Sequence, residues 1–202
     1  MESDVALIYF SNSNFIIILK KQLRGGFIIM TSYIDAVKAE LKDWKTALLV
    51  IVFTVARILF GYAWIHGGLG KIAWLTDGKL NSAGLISKMV NNLASAGHPD
   101  PLGIGQFYAW VANNIFVTAL PGFTDIMVVV LELGLGVVFI LGFKVFWGAL
   151  AAVFMNLQFI SAGSYNNFGY IWTDLALMKF AKYAELIGVD GFLRHKKGKK
   201  LL

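Results

Sequence analysis

An all-α membrane protein, built as a bundle of four spanning helices, is the fold class the sequence predicts. Three observations predict it. Of 202 residues, 57% are hydrophobic and only 15% charged. The mean hydropathy of +0.67 lies well above that of a soluble domain of this size. Four apolar runs, at 46–66, 123–143, 145–162 and 169–187, each approach the ~20 residues that carry a helix across ~30 Å of hydrocarbon. The 21 glycines and 14% aromatics fit the same class. Small residues let membrane helices approach, and aromatic rings sit at the interface. The chain has no cysteine, which excludes disulfides, thiol catalysis and cysteine-ligated metal in this subunit.

Residues 1–29 differ from the rest. FIIIL at 15–19 is too short to span, and acidic Glu2 and Asp4 precede it where a signal peptide carries positive charge. Two readings stay open. One is translated upstream sequence ahead of a natural start at Met30, with LRGG at 23–26 encoded by a ribosome-binding-like stretch. The other is an ordinary or interfacial leader.

Residues 30–45 read as a helix lying on the membrane face. Ser32 caps it, Asp35 enters its first turn, and Tyr33, Val37, Leu41 and Trp44 make an apolar stripe opposite Lys38, Lys42 and Lys45. The spanning domain follows over 46–188, and 189–202 is a basic tail. Lysines at 38, 42, 45 and 144 and the KKGKK run at 196–200 place both termini in the cytoplasm. Such clusters indicate anionic lipid before nucleic acid. The long 67–122 segment carries a helical period over Leu85, Ile86, Met89, Val90 and Leu93 after Asn81-Ser82. Gly97 to Gly105 then breaks the pattern, and Phe107, Trp110, Val111 and Phe116 suggest a second short helix. The segment reads as an amphipathic cap over the outer mouth. Trp64, Trp74, Trp110 and Trp172 are read as an outer aromatic belt, and Lys179, Lys182 and Glu185 as a snorkelling, paired end of helix four.

The buried polar residues fall in one slab. Arg57 is 11 residues inside helix one and Glu132 is 11 from the end of helix two, so both lie ~16 Å deep. Asn156, Gln158 and Asp174 reach similar depth on helices three and four. An ionisable residue at that depth costs roughly 3 kcal/mol on insertion scales, so a partner is required. Two readings stand: an Arg57–Glu132 ion pair that fixes packing, or a polar pocket in the bundle core. His66 and Lys71, with Gly67, Gly68 and Gly70, end helix one and suit either a solvated interface or an anion. His66, His98 and His195 form no metal set.

ARILFGYAWIHGGLGK at 56–71 and ELGLGVVFILG at 132–142, with the polar part of helix three and the aspartate of helix four, resemble the DoxX/DoxD family of four-helix membrane proteins. The resemblance covers 46 to about 188, and GSYNNFGYIWTD at 163–174 is closer to the DoxD branch. DoxD is the membrane subunit of a thiosulfate:quinone oxidoreductase and works with a small partner, DoxA. The resemblance implies a quinone-linked prokaryotic membrane subunit with Arg57, His66, Lys71, Glu132 and Asp174 at the family positions. On that expectation Glu132, Asp174 and Arg57 are catalytic, and His66, Lys71, Asn156 and Gln158 bind quinone or donor. Quinone is the substrate, and no metal or haem is expected. Partners would be membrane lipid, a DoxA-like small subunit or another redox protein, and a second copy of the chain. A scaffold or assembly factor for a redox complex is the alternative.

Overall fold

The computed structural model describes residues 29–77, 79–95 and 103–202, and the regular structure among them is all helical, without strands. Residues 1–28, with the leader readings, and 96–102, with His98 and the predicted Pro/Gly break, lie outside the described residues.

A first helix, α1, covers 29–40, and a turn at 41–43 leads into α2 (Trp44–Leu69). Asp43 caps α2, its carboxylate accepting from the Thr46 N–H at 3.0 Å and from its hydroxyl at 2.8 Å. A 3₁₀ turn at Ile72–Leu75 precedes α3 (Ala83–Ala94). Helix α4 (Ile104–Val111) runs on as a π-helix over Ala112–Ala119. Then come α5 (Pro121–Leu141) and α6 (Val145–Ser161). The last three are α7 (Asn167–Lys179), α8 (Ala181–Leu186) and α9 (Val189–Lys196).

Helices α2 and α5 are long and apolar enough to cross a membrane, and α6 is a shorter apolar helix. Most of α2 and α5 is not covered by the protein: Leu59 is 64% exposed and Val130 56%. The predicted fourth span, 169–187, is not continuous. It breaks at Phe180, whose φ of −106° and ψ of 23° end α7, while its carbonyl accepts from the Tyr183 and Ala184 N–H groups to start α8. Its ring stacks on Phe53 of α2, with centroids 4.4 Å apart, which fixes the break.

At one end of the molecule, the Lys71 end, α2 finishes and α5 starts. At the other, the Lys144 end, α2 starts and α5 turns into α6. Helices α2 and α5 pack on each other, as do α6 and α7, and α8 closes on α2. The α2–α5 seam depends on glycine. A Cβ on Gly61 would meet the Gly136 carbonyl at 2.8 Å, and a Cβ on Gly136 would meet the Gly61 carbonyl at the same distance. Backbones this close exclude any side chain. The core between the helices pairs Phe60, Trp64, Leu135, Phe139 and Leu177 with Ala149, Ala152, Ala181 and Ala184.

Three predicted local features are corrected. Ser32 does not cap α1, which is already helical by 29; its hydroxyl lies 3.1 Å from His195 Nε2. Of the predicted stripe, Tyr33, Val37 and Leu41 are half-buried against Val50, Leu186 and Leu201 of the chain itself, while Trp44 is 69% exposed. Glu185 does not pair with Lys179 or Lys182. It meets Arg194 at 2.6 Å and accepts from the Val145 N–H at 2.9 Å, which holds the basic tail as α9 and caps α6.

Candidate functional site

Helix geometry decides where the buried charges go. A side chain leans toward the N-terminus of its own helix. Helices α2 and α5 run in opposite directions, so Arg57 leans toward the Lys144 end and Glu132 toward the Lys71 end. Equal Cα depth therefore does not bring them together, and the predicted Arg57–Glu132 pair is not formed.

Arg57 is 2% exposed and binds four backbone carbonyls instead. Its Nε donates to Ala184 at 2.7 Å. Nη1 donates to Phe139 and to Ile140, the latter at 2.7 Å, and Nη2 donates to Ile187 at 2.5 Å. These carbonyls close α5 and α8, where the helices leave acceptors without intrahelical partners and where the dipole favours a cation. Gly142 makes room: its φ is +63°, and a Cβ there would lie 2.7 Å from Arg57 Cζ.

Glu132 meets Lys71. The ammonium lies 2.9 and 2.8 Å from the two carboxylate oxygens and 3.3 Å from the Gly67 carbonyl. The Glu132 side chain is 3% exposed and that of Lys71 25%. All three ammonium donors are thus directed at protein oxygens, over the rings of Trp74 and Phe159.

This pair lines a cavity of about 360 Å³ between α2, α5, α6 and α7. Phe60, Trp64, Phe159 and Tyr170 give it aromatic walls, and Asn156, Asn167 and Ser164 supply amide and hydroxyl groups. His66 stands at its edge, largely exposed. Behind the wall the amides form a chain. Asn167 Nδ2 donates to Asn156 Oδ1 at 2.9 Å, and Asn156 Nδ2 donates to Asp174 at 2.8 Å. Asp174 is fully buried, and its other oxygen has no protein partner, nor has the indole N–H of Trp64. Buried polar atoms are ordinarily paired, so these two leave hydrogen-bonding capacity unused near the cavity, as Thr54, Ser82 and Arg194 do elsewhere.

The structure therefore brings Glu132, Lys71, His66 and Asn156 to one cavity, with Asp174 directly behind Asn156. Arg57 and Gln158 do not line it. Gln158 hydrogen-bonds Tyr108 of α4. Trp64, read from the sequence as part of an interfacial belt, is buried in the cavity wall, while Trp110 and Trp172 are exposed. Asn167 and Tyr170 went unassigned in the sequence reading. The polar stretch 163–174 was the available signal for them, because polar residues beside a helix start in an apolar chain need an interior partner.

The cap is tied to the same site. Asp125, 1% exposed near the start of α5, accepts from the backbone N–H groups of Asn81 at 2.7 Å and Ser82 at 2.9 Å. It thereby caps α3 from a neighbouring helix, whereas the Ser82 hydroxyl makes no capping bond. Helix α3, tied at its start to Asp125 of α5, packs on α4, the π-helix and α6, and its Leu85 reaches the cavity.

Comparison with protein-family models, curated proteins and solved structures found no match to this chain.

Proposed function

We propose that the chain is a multi-pass membrane subunit of a quinone-linked oxidoreductase, of the kind the DoxX/DoxD resemblance implies. In this reading α2, α5, α6 and the α7–α8 pair cross the membrane, and a quinone ring occupies the polar cavity. The cavity carries the proposal: about 360 Å³ with aromatic walls, converging amides and one buried acid–base pair. Sites for small planar ligands are commonly concave and apolar with a few placed polar groups. The uncovered apolar surfaces of α2 and α5 support the membrane setting. The lysines at the Lys144 end support a cytoplasmic placement for that end and both termini.

Reducing a quinone to the quinol takes two electrons and two protons. Ser164 and the amides of Asn156 and Asn167 offer hydrogen bonds to the ring oxygens. Asp174 fixes the Asn156 amide by accepting from it. The Lys71–Glu132 pair stands ready to hold or release a proton at the cavity wall. Arg57 takes no part in this reading; it holds helix ends. Lys71 is the cavity's ammonium among the described residues, and Glu132 already neutralises it. A small reduced-sulfur anion such as thiosulfate is therefore assigned to a partner subunit, DoxA-like or otherwise, which passes its electrons to the quinone.

Quinone titration of the protein in nanodiscs tests the proposal. Wild type should bind saturably. Asn156→Leu should weaken binding about tenfold, the scale of one hydrogen bond of ~1.4 kcal/mol. Absence of saturable binding to folded wild type would favour a scaffold for a redox complex. The use of Arg57 for architecture alone favours that second reading.

A further inference from the structure

Beside the polar cavity lies a second, different space. It is a slot of about 100 Å³ between the cap and the outer halves of α5 and α6. Ile86 and Met89 of α3, Phe116 of the π-helix, Met127 and Leu131 of α5 and Met155 of α6 line it. Leu85 and Phe159 line both spaces, so one side of each residue faces the polar cavity and the other faces the slot. The methionines suit an elongated, flexible occupant, because thioether side chains fill irregular gaps and adapt.

We infer that the two spaces form one bipartite site for a neutral amphiphile, with its polar ring in the cavity and the first carbons of its apolar chain in the slot, past Leu85 and Phe159. The inference rests on the quinone reading and adds that the chain, not only the ring, is recognised. Continuity through the two shared residues ties the slot to the cavity. Charge selects against the other amphiphile a membrane offers. A phospholipid would bring a phosphate into the cavity, and the cavity's ammonium is already paired with Glu132. The cap thereby has a second role: α3 and the π-helix form the wall against which the chain lies, and Asp125 holds that wall in place.

The test compares two probes in nanodiscs, a dimethoxy-methyl-benzoquinone ring alone and the same ring bearing a decyl chain. Wild type is set against Ala162→Leu and Met127→Phe, both of which add bulk inside the slot, with folding checked by circular dichroism and melting temperature. Partition of the decyl chain into the disc is common to all three proteins, so the ratio of the two affinities isolates the slot. A chain kept out of the slot returns to lipid of equal polarity, so what it loses is its packing against the slot wall rather than a transfer from water. The ratio should therefore fall about fivefold in both variants while ring affinity stays within about twofold. An unchanged ratio in either folded variant overturns the inference and leaves the slot to a bilayer acyl chain. Equal loss of both probes overturns it as well, since the slot would then not be a separate subsite. Wild type that binds neither probe removes the quinone reading itself.

Discussion

Lys71 and Glu132 need each other in a way that most ion pairs do not. The Glu132 side chain is 3% exposed, so removing the ammonium leaves its carboxylate buried without a counter-ion. Breaking a buried pair from one side costs about 3–5 kcal/mol, because a bare charge stays behind. Lys71→Met should therefore lower the melting temperature sharply, and adding Glu132→Gln should restore most of it. A double variant no better than Lys71→Met would show that the carboxylate is not the source of the loss. Arg57→Met should behave differently, with no second-site rescue. It leaves the carbonyls of Phe139, Ile140, Ala184 and Ile187 without their donor, at about 1–3 kcal/mol for each that stays buried. Amide exchange at residues 185–190 reports that loss locally, and unchanged protection there would argue against the clamp. At this scale the sequence carried the identity of the buried groups but not their pairing. Depth can be counted along a helix, whereas the lean of a side chain appears only when neighbouring helix directions are assigned as well.

At the scale of elements, the α2–α5 seam brings two backbones into direct contact at Gly61 and Gly136. Gly61→Ala places a methyl group 2.8 Å from the Gly136 carbonyl, and backbone cannot yield as a side chain does. Overpacking of this kind costs about 1–3 kcal/mol, readable in thermal unfolding; a neutral result would mean that the two helices can separate freely. The cap has its own pH signature. The Lys79 N–H, followed by the Asn81 amide, holds the Asp77 carboxyl below the usual carboxylate range. A lowered value stabilises the fold above the ordinary carboxylate pKa, and that contribution is lost as pH falls through the lowered value. Protection factors at 79–83, the exchange rates referred to an unstructured chain at the same pH, should thus fall in strong acid and stay flat across neutral pH. Long apolar runs made α2, α5 and α6 legible in the sequence to within a few residues. The break at Phe180 was not, because it is set by a ring stacked on Phe53 rather than by proline or glycine. The cap of α3 was hidden for a related reason: its capping carboxylate, Asp125, stands more than forty positions away.

The whole molecule is asymmetric in charge. Lys38, Lys42, Lys45, Lys144 and the 196–200 run gather at the Lys144 end, and the Lys71 end carries Lys79 and Lys88 beside Asp77. Absence of cysteine makes the orientation directly readable with single introduced thiols. In intact cells an impermeant maleimide should label Ser95→Cys and spare Lys199→Cys; the reverse pattern would invert the proposed topology. The periodicity of α1 was correct in the sequence, but its apolar stripe has two candidate covers, lipid and protein. Which one it meets depends on where Leu186 and Leu201 return at the end of the chain.

The Arg57 clamp also sets an order of events during synthesis. Arg57 enters the proposed membrane on the first span, yet its acceptors on α5 come about eighty residues later and those on α8 and beyond about 130 later. Until then a guanidinium stands in a nascent helix with only water, lipid headgroups or the insertion machinery to receive it. The ribosome must release residue 187 before the first helix has all its partners, so a chain halted after α6 should be retained or degraded rather than accumulate as a stable fragment.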